Sequence, residues 1–114
     1  MRSRHVALSQ GIFYVATGLW PIVHLRSFEA VTGPKVDKWL ARTLGGLIAA
    51  VGVTLIAGAL EERPSRALRV LGIGSALALG AADVLYAARR RISKVYLGDA
   101  AAEGALVAGW VATN

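Results

Sequence analysis

Polar and apolar positions fall in long blocks along this chain and do not alternate residue by residue. Val6 to Leu25 is twenty residues in which His24 is the only ionisable group. Thr43 to Leu60 is eighteen residues without a charge, Val70 to Ala88 nineteen with Asp83 alone, and Val95 to Ala112 eighteen with Asp99 and Glu103. At 1.5 Å rise per residue, about twenty apolar residues cross a hydrocarbon layer roughly 30 Å thick. The blocks predict an all-α fold, a four-helix transmembrane bundle running up-down-up-down. Its spans are expected over about 6–25, 40–60, 67–88 and 94–112, forming one integral membrane domain over 1–114. Short loops join them, near Arg26 to Gly33, Glu61 to Ser65 and Arg89 to Ser93.

Helix ends are marked by residue type. Gly33-Pro34 suits the opening of the second helix, where the missing proline N–H costs nothing. Glu61-Glu62-Arg63-Pro64 stops that helix, and Ser65 and Ser93 are expected N-caps for the third and fourth. Trp39 stands at an interfacial position, with Trp20 and Trp110 at or inside the ends of their spans. Arg2 and Arg4 before an apolar run resemble the start of a signal peptide. No small-residue cleavage site closes that run, where Trp20-Pro21-Ile22-Val23 stands, so a first membrane helix is the expectation.

Composition narrows the class. Apolar residues make up 55% and charged ones 18% of the 114, against about a quarter charged in an ordinary soluble domain. No cysteine is present, which excludes disulfide scaffolds and thiol chemistry. The net charge of +6 sits in the connections and not along one face, so no nucleic-acid partner is expected. Five basic residues (Arg2, Arg4, Arg63, Arg66, Arg69) lie on the side of the termini. Eight (Arg26, Lys35, Lys38, Arg42, Arg89, Arg90, Arg91, Lys94) lie on the other. Positive-inside bias predicts loops 26–38 and 89–94 in the cytoplasm and the termini outside, with inversion or dual insertion as the alternatives that a five-to-eight split leaves open. The run Arg89-Arg90-Arg91 reads as a topogenic anchor that also attracts anionic lipid.

Within the spans, small residues mark expected contact seams, because lipid supplies no hydrophobic drive between helices. The series are Gly45, Ala49, Gly52, Ala59 in the second helix and Gly72, Ala76, Gly80 in the third. In the fourth the series is Gly98, Ala102, Ala105, Gly109, Ala112. Polar residues follow the same geometry. Gln10, Tyr14, Thr17, Pro21 and His24 recur at helical spacing down the first helix, and Pro21 frees the Thr17 carbonyl. Asp83 continues the small series of the third helix, with Tyr86 and Arg90 beyond it. Asp99 and Glu103 lie one turn apart, in line with Tyr96, Leu106 and Trp110.

A charge at a helix centre costs about 2.5–3.5 kcal/mol on insertion scales, so these groups are expected to be paired, protonated or hydrated. Candidate ligand-binding or proton-coupling residues are therefore Asp83, Asp99, Glu103, Arg42, His24, Tyr86, Tyr14, Gln10 and Thr17. Each has a plainer alternative. Asp83 and Arg42 suit a structural ion pair, Asp99 is near enough to an end to be solvated, and His24 suits an interface. His5 lies at the opposite end of the helix from His24, which excludes a two-histidine haem within one chain. No nucleotide loop, zinc-binding H-E-x-x-H or nucleophile elbow appears. No catalytic residue, metal or cofactor is assigned.

Trp39-Leu40-Ala41-Arg42-Thr43-Leu44-Gly45-Gly46, with Gly18-Leu19-Trp20-Pro21, resembles the corresponding entry and exit segments of DoxX-like small bacterial membrane proteins. The resemblance covers about the first half of the chain. It implies a four-helix protein of the bacterial cytoplasmic membrane, a companion of redox or stress systems, with no catalytic residues to carry over. Length and span count are also similar to small multidrug transporters, but those carry an essential glutamate in the first helix and this chain has none there.

Two main functions follow, with a third beside them. One is a non-catalytic accessory subunit, or a binder of a lipophilic small molecule such as a quinone, through a polar bundle interior. The other is a proton-coupled transporter working as a homodimer, with an intramembrane carboxylate as coupling site. A membrane isomerase using the carboxyls and His24 is a third. Expected partners are the lipid bilayer, the lipophilic ligand, and a second copy or a membrane partner protein.

Overall fold

The structure is a computed structural model and describes residues 3–32, 38–61, 65–88 and 95–113. It is all-helical over these residues, with α1 Ser3–Val23, α2 Leu25–Thr32, α3 Lys38–Ala59, α4 Arg66–Ala88 and α5 Tyr96–Ala112. Three of the five, α1, α3 and α4, are long and apolar enough to cross a membrane. Sequence reasoning expects four such spans. By this measure α5 falls short, because it has only 17 residues.

Glycine brings α1 and α3 into close antiparallel contact. A Cβ added at Gly11 would lie 2.7 Å from the Gly52 carbonyl oxygen, and one at Gly52 would lie 2.6 Å from the Gly11 oxygen. Gly18 and Gly45 meet in the same reciprocal way one step further along. Two glycine pairs seven residues apart on each helix therefore set the register, and no side chain separates the backbones there. The expected seam Gly45, Ala49, Gly52, Ala59 is the buried face of α3, together with Leu55.

The second close pair is α4 with α5. Trp110 lies over Gly72, where an added Cβ would meet the indole at 2.5 Å, and Gly80 faces Glu103 Cβ. The two pairs then join along α1 and α5. Ser3 Oγ donates to Thr113 Oγ1 at 3.1 Å, Val6 packs on Gly109, and Tyr14 reaches Glu103. These contacts ascend α1 while descending α5, so the two run antiparallel. At the same end Arg4 donates to the Glu61 carbonyl and Arg69 to that of Thr113 at 2.8 Å, so Glu61 lies beside the first turn of α1 and the first turn of α4 beside the end of α5. A core of Val6, Tyr14, Leu55, Ala59, Leu68 and Trp110 fills the space between the pairs.

The structure differs from expectation in three places. Residues 25–32 form a helix where a loop is expected. Its start is capped by His24, whose Nδ1 accepts from the Ser27 amide at 3.2 Å. Trp20 fixes its angle, donating to Ser27 Oγ at 2.8 Å and meeting Phe28 edge-on at 5.4 Å. Secondly, the small series of α5 is not its buried face. Gly98 and Ala105 are exposed, and Glu103 and Trp110 are buried instead. Thirdly, Trp110 is 0% exposed and not interfacial. Ser65 caps α4 as expected, accepting from the Leu68 amide at 3.0 Å. Gly33-Pro34, Ser93, Arg90 and the Arg89-Arg90-Arg91 anchor lie outside the described residues.

Candidate functional site

The α4–α5 register sets the site. Gly72 stands opposite Trp110, so eleven residues further along α4 and eleven back along α5 bring Asp83 level with Asp99. Glu103 follows Asp99 by one turn on the same face. The result is a cluster of three acids: one carboxylate oxygen from each of Asp83, Asp99 and Glu103 lies within 4.8 Å of the others. Asp83 and Glu103 are buried, at 7% and 1% exposure, and Asp99 is half-buried. Asp99 belongs to the first turn of α5, where the positive end of the helix dipole favours a carboxylate.

The polar face of α1 closes the site. The Tyr14 hydroxyl donates to Glu103 Oε1 at 2.5 Å, and Tyr14 is itself buried. One turn towards the chain ends, Gln10 spends its whole amide on the neighbouring helices. Its Nε2 donates to the Gly72 carbonyl at 2.9 Å and to Ser75 Oγ at 3.3 Å, while its Oε1 accepts from Trp110 Nε1 at 2.6 Å. Gln10 thus locks α1 to both α4 and α5, and Tyr14 hangs from the same locked face. Asp83 differs from these groups: its Oδ2 is buried and has no hydrogen-bond partner among the described residues.

The other candidates lie elsewhere. Arg42 is exposed and lines a cleft of about 480 Å³ with Leu25, Arg26, Glu29, Ala30 and Lys38, so it makes no ion pair with Asp83. The ion pair found among the described residues is Lys38 with Glu29, at 3.2 Å. His24 is exposed and serves as the α2 cap. Thr17 returns its hydroxyl to the Phe13 carbonyl of its own helix at 2.8 Å, and Tyr86 is 40% exposed. Of nine candidates, five form the connected interior set: Gln10, Tyr14, Asp83, Asp99 and Glu103. Ser75 and Trp110 belong with them and were not among the candidates. Trp110 is in line with the two acids of α5, which is a signal for its inward direction.

Chemically the site is an all-oxygen donor set facing inward, with no basic side chain paired to it among the described residues. Comparison of the chain with protein-family models, with characterised proteins and with solved structures finds no match.

Proposed function

We propose that this is an integral membrane protein of four helical spans that binds a positively charged ligand group through its interior carboxyl cluster, without catalysis. The membrane reading is supported by an inverted distribution of polarity. Leu47, Val53, Val70 and Val111 are 57–66% exposed, whereas Gln10 and Glu103 are almost fully buried. Soluble proteins bury most such side chains and leave their polar groups outside. Water would penalise that exposed apolar surface and acyl chain would not. In this reading α5 is the fourth, shorter span, its 17 residues covering about 25 Å at 1.5 Å each. Loops 26–38 and 89–94 face the cytoplasm, α2 lies at that interface, and the likeness to DoxX-like proteins belongs to the same proposal.

The observation that carries the ligand reading is three acids gathered without a base. Uncompensated carboxylates in a low-dielectric interior repel one another, so their gathering calls for protons or a cation between them, and a site that gathers three acids is suited to exchange one for the other. A lipophilic ligand or quinone would need an apolar chamber beside the polar groups. At the cluster, however, α4 approaches α5 so closely that a Cβ on Gly80 would sit 3.2 Å from Glu103 Cβ. One observation favours the transporter as a second reading. The cluster belongs to the α4–α5 pair and meets the α1–α3 pair through Tyr14, and each pair is far more closely packed within itself than against the other. Rocking of one pair on the other is the movement that alternating access requires.

The test is thermal unfolding of the full chain in dodecylmaltoside against a panel of sodium, calcium, manganese and tetraalkylammonium chlorides. A ligand that binds only the folded state stabilises it by about 2.7 kcal/mol at a hundred times its dissociation constant. Stabilisation by at least one cation, lost in the Asp83→Asn/Glu103→Gln double variant, is the expected result. A chain indifferent to every cation overturns the reading.

A further inference from the structure

We infer that the Asp83–Asp99–Glu103 cluster is a binding site for one hard divalent metal cation. The inference rests on the cation-binding reading above and names its ligand class, against the sequence expectation of no metal. The first support is geometric. Three oxygens that all lie within 4.8 Å of one another have a common point no more than about 2.8 Å from each, and calcium–oxygen bonds run about 2.3–2.6 Å. Shifts of a few tenths of an ångström therefore close the set around an ion.

The second support is independent of the clustering. Asp83 is 7% exposed, and its Oδ2 has no hydrogen-bond partner among the described residues. Buried carboxylate oxygens are otherwise satisfied, since an orphaned charged acceptor carries the full cost of desolvation. This oxygen points to a ligand that the protein itself does not provide. Gln10, Ser75 and Trp110 are all satisfied nearby, so the deficit is confined to the cluster.

Ion type follows from the donors. Three carboxylates offer oxygen only, with no thiol or imidazole, which selects calcium, magnesium or manganese over zinc or copper. Three carboxylates closing on one ion also favour a doubly charged cation over sodium. An organic ammonium group is disfavoured because Gly80 and Glu103 leave the helices in contact at this level. Tyr14 is a positioning residue. Its hydroxyl holds one oxygen of Glu103 and so orients that carboxylate.

The experiment is manganese binding by the chelator-stripped full chain in dodecylmaltoside, followed by loss of the free-ion paramagnetic resonance signal. One manganese per chain is expected, displaced by calcium or magnesium. Asp83→Asn and Glu103→Gln should each weaken binding at least tenfold, and Tyr14→Phe by about tenfold, as outer contacts to metal ligands do. Asp99→Asn, at a half-buried position, keeps the test decisive if the buried variants fail to fold by circular dichroism and size exclusion. An undiminished free-ion signal overturns the inference, and so does equal binding by wild type and the folded variants. Stabilisation by tetraalkylammonium or sodium without manganese binding would overturn the metal site while leaving the cation-binding reading standing. Indifference to every cation would remove both.

Discussion

At the scale of single residues, Gln10 ties α1 to two other helices, with one bond to α5 and two to α4. Gln10→Ala leaves the Trp110 indole N–H buried without an acceptor. A buried donor left unsatisfied costs about 1–3 kcal/mol, and hydrogen bonds between membrane helices average about 0.6. We therefore expect Gln10→Ala to lower stability by about 1–2 kcal/mol, measured by thermal unfolding in detergent. Trp110→Phe should cost a similar amount, and the double variant less than the sum, because both delete one contact. The inward direction of Gln10 and Tyr14 was legible in the sequence from their spacing along an apolar helix. Their partners were not. Trp110 is 100 positions from Gln10, and aromatic residues near span ends serve equally well as interfacial anchors. Arg42 shows the converse: its depth suggested pairing with Asp83, but depth alone does not give direction around the helix axis, and it faces the cleft beside α2.

At the scale of elements, the α1–α3 contact depends on glycine at positions where another residue would force the backbones apart. An added Cβ at Gly18 would press on the Gly45 carbonyl and lie 2.7 Å from the Ala49 amide nitrogen. Neither is a flexible side-chain end, so the helices themselves must move. Gly18→Val and Gly52→Val should each cost about 3 kcal/mol or more, at the upper end of overpacking. The yield of folded protein should fall correspondingly, as seen by fluorescence-detected size exclusion. Gly74→Ala is the counterpart, since nothing lies within 4 Å of a Cβ there. It should be neutral or stabilising by up to about 1 kcal/mol through helix propensity. Small-residue spacing identified the buried face of α3 and failed on α5. Small residues are as comfortable against lipid as against a neighbouring helix, and α5 turns its acids and Trp110 inward instead. The helix α2 was missed because eight residues with three charged or hydroxyl groups among the first five read as a connection. The signals were present in Leu25, Phe28 and Thr32 at helical spacing and in His24 and Ser27 at its start.

At the scale of the whole molecule, everything the cluster does depends on how the α4–α5 pair seats against the α1–α3 pair. That joint is made by α1 on α5, and its outer end is the Ser3–Thr113 hydroxyl contact, 3.1 Å long. The chain has no cysteine, so a Ser3→Cys/Thr113→Cys variant carries the only two thiols in the molecule. Mild oxidation in detergent should join them in high yield, because a disulfide needs the two sulfurs to come together at about 2.05 Å from an already adjacent start. The bond closes nearly the whole described chain into one loop, and loop-closure reasoning gives such a crosslink about 4–5 kcal/mol of stabilisation as an upper range. A higher unfolding temperature for the oxidised than for the reduced form is the expected result. Cation binding should be unchanged within twofold, since the cluster lies towards the other end of the helices. Under the transporter reading the same bond has a further consequence. It pins the two pairs where one of the two openings must form, so oxidised protein in vesicles should bind its cation but not exchange it across the bilayer. Failure of the two cysteines to join would mean that α5 does not end beside the start of α1. The antiparallel register of those helices would then be wrong, and the contact between Tyr14 and Glu103 would be lost with it.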